Sequence, residues 1–180
     1  VSELILRRRA EQPNQGTRWM FALQRRLSIF EAILKFLART QRLWDRRPIR
    51  KALERMAAPM LRRIAPTAAL PADLRLPRLA SRRLRERYPE LTKMQGQGEA
   101  GRVAYFHGCA ANYFDDGVGD AVIAVLRKHG VEPALPPQRC SGTPIETYGH
   151  MDLVREDARF NLASLGGYDK VVTGCASCTL

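Results

Sequence analysis

Four thiols carry the chemistry available to this sequence: Cys109, Cys140, Cys175 and Cys178. The last two form a CxxC pair, a spacing that lets two sulfurs grip one metal ion or cluster. The others stand 31 and 35 residues upstream of the next thiol, so folding rather than local sequence has to bring them together. Small residues surround each thiol: Gly108, Ala110 and Ala111 at the first, Ser141 and Gly142 at the second, Gly174, Ala176 and Ser177 at the last pair. Such neighbours permit close approach and leave backbone N–H groups free to bond sulfur. No cysteine falls in the first hundred residues, which argues against disulfide staples and for metal or redox use in a reducing compartment. Four readings fit the thiols themselves: iron–sulfur ligation, a closed zinc site of four cysteines, a dithiol redox pair at Cys175 and Cys178, or four inert core cysteines.

Nearby polar residues have blander roles. His107 at a strand end suits a structural hydrogen bond better than ligation. Asp115, Asp116 and Asp120 suit the positive end of a helix. Asn112 and Tyr113 order or fill the loop after Cys109. No P-loop, dinucleotide-binding glycine fingerprint or Ser-His-Asp order is present, and no residue is singled out as catalytic.

The elements that must position the thiols alternate from residue 101 onward. The pattern predicts a strand over Arg102 to Phe106, a helix over Gly117 to His129, a strand over Val131 to Leu135, a helix over His150 to Leu165 and a strand over Lys170 to Thr173. This is βαβαβ, a Rossmann-like parallel α/β sheet. Val122, Val125 and Leu126, then Leu153, Ala158, Leu162 and Leu165, are the apolar stripes expected to cover it. Every cysteine then follows a strand, at the carboxyl edge where open α/β sheets bind their ligands.

The first hundred residues differ in kind. They hold 23 Lys and Arg against 9 Asp and Glu, whereas residues 101–180 hold 7 against 9. Two domains are expected: 1–100, a basic amphipathic helical region with a Pro/Gly linker, and 101–180, the cysteine-bearing α/β module. Trp19, Met20, Leu23, Leu27, Phe30, Ile33, Leu34 and Leu37 recur at helical spacing, and Ile49, Leu53, Met56, Met60 and Ile64 mark a second helix behind Pro48, with a kink at Pro59. A proline-rich connector with a short helix near Ser81 to Arg87 leads to a linker at Gln95 to Gly98. Amphipathic Arg-rich helices suit a membrane surface or an acidic partner. No stretch approaches the about 20 apolar residues of a bilayer span, and no reading motif for nucleic acid accompanies the charge. Val1 at the start, and Leu180 two residues after the CxxC pair, suggest a piece of a longer chain.

Three motifs occur in order: Tyr105-Phe106-His107-Gly108-Cys109-Ala110-Ala111-Asn112-Tyr113, Arg139-Cys140-Ser141-Gly142-Thr143-Pro144 and Gly174-Cys175-Ala176-Ser177-Cys178. They resemble the cysteine-rich CCG domain found in heterodisulfide reductase, in the iron–sulfur subunits of glycolate and lactate oxidases, and in anaerobic glycerol-3-phosphate dehydrogenase, the last being most similar over Phe106 to Tyr113. The resemblance implies one half of a CCG-domain pair in an oxidoreductase subunit of anaerobic respiration or catabolism. Electrons would pass from a flavin-containing dehydrogenase subunit toward quinone, at the cytoplasmic face of the cell membrane. It implies an iron–sulfur cluster of 4Fe–4S type, with zinc as the alternative in a non-catalytic interaction domain. The four cysteines are the implied ligands. The family's adjacent cysteine pair is here Cys140-Ser141, which leaves four thiolates where a noncubane cluster takes five and sets Ser141 beside the ligands.

Overall fold

The computed structural model describes residues 2–12, 15–25, 27–44, 52, 56, 78–95, 101–114 and 117–179. The expected stripe from Ile49 to Ile64, the Gln95 to Gly98 linker beyond Gln95, and Asp115 and Asp116 lie outside them, apart from Met56. Three helices open the chain: α1 (Ser2–Glu11), α2 (Gln15–Arg25) and α3 (Leu27–Trp44). A short α4 (Leu84–Arg87) precedes strand β1 (Val103–Phe106). Then come α5 (Ala110–Tyr113), α6 (Val118–Lys128), α7 (Thr143–Thr147), α8 (Met151–Leu165), strand β2 (Lys170–Thr173) and a 3₁₀ turn at Ala176–Cys178.

The α/β architecture read from the sequence is the one observed. Strands β1 and β2 are parallel, with Val103 opposite Lys170 and Phe106 opposite Thr173. All four β1 residues are buried, as expected of a strand covered on both faces. The strand expected over Val131 to Leu135 is reduced to one parallel bridge between Ala104 and Ala134. Pro133, Pro136 and Pro137 lack the N–H that a longer ladder requires. Ala134 donates to Val103 O at 2.8 Å and its carbonyl accepts from Tyr105 N at 2.9 Å. β1 therefore has β2 on one edge and Ala134 on the other. After β1 the chain runs first to one side and then to the other, a topological switch whose crevice opens at the carboxyl ends of the strands.

Residues 78–95 fill space beneath this sheet. Leu84 and Leu91 join Tyr105, Ile123 and Leu135 in one buried cluster, and Leu91 O accepts from Leu135 N at 2.9 Å. Tertiary contacts thus cross the boundary expected near residue 100. A second cluster docks the amino-terminal helices, with Phe21 of α2 against Ile145 and Leu153. The buried face of α2 is Thr17 and Phe21, while Trp19 is 77% exposed and Met20 and Leu23 are exposed too. The helical stripe read from the sequence is thus left uncovered at Trp19, Met20 and Leu23, and ion pairs to α8 accompany this rotation: Arg18 pairs with Asp152 at 2.6 Å and Arg25 with Glu156 and Asp157.

Helix α8 is turned in the same way. Leu153, Asp157 and Asn161, one turn apart, are its buried residues, whereas Leu162 is 72% exposed. On α6, Ile123 is buried and Val125 exposed. Asp120 does not act as an isolated helix-end charge; it accepts from Arg87 and, at 2.9 Å, from Tyr88 Oη.

Much of the positive charge is answered within the molecule. Besides the α8 pairs, Lys35 meets Glu86 at 2.6 Å, and Arg83 bonds both Glu31 and Glu86. Burial alone would raise the Glu86 carboxyl, yet bonds from Arg83 and Lys35 outweigh it and hold the group at about 2. A depressed carboxyl contributes stability above its ordinary value of 4.5, and that contribution disappears as pH falls toward 2. Glu86→Gln is therefore expected to be less stable than wild type near neutral pH and equal to it toward pH 2, read from denaturant midpoints; a gap that widens in acid would contradict the pairing.

Candidate metal centre

Each thiol sits where the chain leaves the sheet. Cys109 follows β1 and starts α5, its carbonyl accepting from Tyr113 N at 3.0 Å. Cys140 lies between the Ala134 bridge and α7, followed by Gly142 at φ 104°, a left-handed turn that glycine adopts without strain. Cys175 follows β2, and the 3₁₀ turn folds Cys178 back so that its N–H donates to Cys175 O at 3.0 Å. Four free thiols thus emerge from three loops at one edge of the sheet.

The sulfurs of Cys109 and Cys140 are 3.9 Å apart. Within this pair the bond to Cys140 and burial push Cys109 up, and the bond from Cys109 draws Cys140 down. The third loop closes on this pair from the side. A Cβ on Gly108 would stand 3.0 Å from the Cys178 sulfur, so that thiol lies against the residue preceding Cys109. Thr143 Oγ1 donates to Ser177 O at 2.7 Å, tying the second loop to the third. Burial and the neighbouring Cys175 raise Cys178 to about 11, while Ser177, at 3.2 Å, lowers Cys175. Among the described residues, no three His, Cys, Asp or Glu side chains are already gathered as a group that could hold a metal ion. Cys109 and Cys140 form the close pair, Cys178 lies against Gly108, and Cys175 is joined to Cys178 through the 3₁₀ turn.

Gly108 makes this convergence testable. Its φ of 65° strains any other residue, and a Cβ there would press on the Cys178 sulfur at 3.0 Å. Gly108→Ala is expected to cost about 1–2 kcal/mol in backbone strain and to displace Cys178, lowering metal affinity about tenfold; unchanged affinity in a chelator titration would place Cys178 outside the site.

A cleft of about 30 Å³ backs the Cys109–Cys140 pair, walled by Gln24 and Arg25 of α2 together with His107, Asn112 and Arg139. Small-molecule sites commonly occupy about 300 Å³ or more, so this space suits a water or two rather than a substrate. His107 is buried and its Nδ1 lies 2.7 Å from Gly108 O, which assigns the ring proton to Nδ1. Burial lowers its pKa to about 4, so the ring is neutral, and Nε2 is left with no partner. The structural role expected of His107 is the one its contacts describe. Asn112 is buried beside it, and Tyr113 meets Phe30 of α3 edge-on at 5.5 Å between centroids.

Sequence reasoning missed the residues that brace the loops. Asp157, 2% exposed, accepts from Arg25 of α2 at 3.1 Å and from Arg139 at 3.3 Å; burial raises its carboxyl while both guanidiniums pull it back. Asn161 bonds the backbone at Arg139 and Cys140, and Gln138 reaches to the exit of β1. Their only signal was polarity at helical or loop positions, which reads as surface.

Comparison with known proteins places this arrangement. Residues 103–180, from the first residue of β1 to the end, match the model of the CCG cysteine-rich domain. This segment belongs to the cysteine-rich CCG family. The chain is 39% identical over 84 residues to a subunit of the fumarate reductase (CoM/CoB) of Methanothermobacter marburgensis, covering 46% of this chain and 17% of that one. It is 38% identical over 85 residues to an iron–sulfur protein of Methanocaldococcus jannaschii, covering 46% and 17%. A subunit of the anaerobic glycerol-3-phosphate dehydrogenase of Escherichia coli is 34% identical over 101 residues, 54% of this chain and 25% of that protein. The matched segment thus spans about a sixth to a quarter of these relatives. No solved structure matches.

The donor set of the CCG module suits a thiolate-bound metal group. Four soft sulfur donors sit at one sheet edge, two already 3.9 Å apart, with small residues beside them.

Proposed function

We propose that this chain is part of an iron–sulfur electron-transfer subunit of an oxidoreductase, with Cys109, Cys140, Cys175 and Cys178 holding a cluster of 4Fe–4S type. The observation that carries the reading is the approach of Cys109 and Cys140 from different loops, with Cys178 against Gly108. The names of the relatives support it, since they include an iron–sulfur protein and subunits of a fumarate reductase and a dehydrogenase. A bound cluster would supply one-electron transfer. The chain's own residues hold the thiols, with Cys140 buried, Cys109 half-buried and Ser177 Oγ 3.2 Å from the Cys175 sulfur, the kind of contact that tunes a cluster's potential. Electrons would come from a flavin-containing dehydrogenase subunit and leave toward quinone.

The intact subunit would lie peripherally on the cytoplasmic face of the membrane, using exposed Trp19, Ile29, Ile33 and Phe36 of α2 and α3. Among the described residues no helix is long and apolar enough to cross a bilayer. Flotation with anionic vesicles at low salt checks the attachment; full-length protein that stays at the bottom of the gradient removes it.

One observation favours a second reading, a zinc-stabilised interaction domain. Two thiolates bonded at about 2.3 Å to a tetrahedral ion stand about 3.8 Å apart, close to the Cys109–Cys140 separation. Quantifying iron, zinc and acid-labile sulfide in full-length protein purified without air, with visible spectra before and after reduction, separates the two. Iron and sulfide assignable to this module, with absorption that bleaches on reduction, are expected; zinc alone in the module overturns the cluster.

A further inference from the structure

Two neutral amides brace the loops of Cys109 and Cys140, Gln138 joining one loop to the other and Asn161 anchoring the second to α8. Gln138, two residues before Cys140, accepts from Gly108 N at 3.2 Å through Oε1 and donates through Nε2 to Tyr105 O at 3.0 Å and Pro136 O at 3.4 Å. One side chain thus ties the approach to Cys140 to the residue immediately before Cys109. From the other side, Asn161 of α8 accepts from Arg139 N at 2.8 Å and donates to Arg139 O and Cys140 O, both at 3.3 Å. The loop cannot supply these bonds itself, because Pro136 and Pro137 have no N–H to offer. An amide is the side chain for this task, since it donates and accepts at once, where a carboxylate can only accept. Asn161 is buried, so leaving its bonds unmade would strand polar groups away from water.

We propose that Gln138 and Asn161 are positioning residues that set the separation of Cys109 and Cys140, and so decide whether one metal group can take both sulfurs. The inference rests on the reading of these thiols as ligands. It also generates a difference within the site: the spacing of Cys175 and Cys178 is set by their own 3₁₀ turn, in which Cys178 N donates to Cys175 O at 3.0 Å, whereas the bonds of both amides go to the other two loops. Loss of an amide loosens one pair and spares the other.

The test uses the full-length protein, stripped of metal without air, and phenylarsine oxide, which bridges two thiols only when they lie close together. Peptide mass spectrometry assigns bridges to Cys109–Cys140 or to Cys175–Cys178. Gln138→Leu and Asn161→Leu, which keep bulk and remove every bond, are expected to slow bridging of Cys109–Cys140 at least tenfold, with the Cys175–Cys178 rate unchanged. Asn161→Asp, which retains the acceptor for Arg139 N, is expected to fall between wild type and Asn161→Leu. Bridging of Cys109–Cys140 at the wild-type rate overturns the proposal, and so does equal slowing at both pairs, which would mark a general loss of structure. Zinc in place of iron and sulfide in the unstripped protein, beside the expected bridging pattern, would defeat the cluster reading and leave the positioning roles standing.

Discussion

Cys140→Ala is expected to strip the CCG module of its metal group. Cys140 is the thiol with the most support: it is buried, Cys109 lies 3.9 Å away, and Asn161 holds its carbonyl at 3.3 Å. The neighbouring Cys109 thiol draws the Cys140 pKa downward, which favours the thiolate that binds metal. Structural metal sites bind with about 10–16 kcal/mol over about four ligands, so one ligand accounts for about 3 kcal/mol, on the order of 10²-fold in affinity. Metal remaining on the full-length variant after chelator challenge, counted against wild type, is the readout. Retention at the wild-type level would exclude Cys140 as a ligand.

Leu91→Ala is expected to have the largest effect on folding. Leu91 is fully buried among Leu84, Tyr105, Ile123 and Leu135, and its carbonyl extends the bonding of the shortened Ala134 strand. Truncating a buried leucine costs about 2–5 kcal/mol, through lost transfer energy and the cavity left behind. Leu162→Ala is the comparison: at 72% exposure it is expected to shift stability by no more than about 0.5 kcal/mol. Chemical denaturation of both variants distinguishes a core that includes residues 78–95 from one confined to residues after 100. A silent Leu91→Ala would mean that the segment is a linker, as its prolines and arginines suggest.

That contrast shows what the sequence made legible. The order of elements could be read because Val103 to Phe106 and Lys170 to Thr173 are short apolar runs set around amphipathic helices. The thiol edge followed, since each cysteine lies just beyond a strand of a parallel sheet. The faces of the helices were harder. Apolar periodicity assigned Leu162 to the covered side of α8, but Asp157 and Asn161 occupy that side because Arg25, Arg139 and the Cys140 loop answer their polar atoms. Those partners lie 18 to 132 residues away, so no local pattern reveals them. The exposure of Trp19 has a related cause: ion pairs from Arg18 and Arg25 to α8 accompany the rotation of α2. Gln138 reads as a surface residue until the exit of β1 is set beside it.

The most direct measurement is a crystal structure of the anaerobically purified full-length protein, with diffraction recorded on both sides of the iron and zinc absorption edges. A single anomalous centre within bonding reach of sulfur from Cys109, Cys140, Cys175 and Cys178 is the expected result. Thiols turned to separate sides of the module, with any metal bound elsewhere, would contradict it.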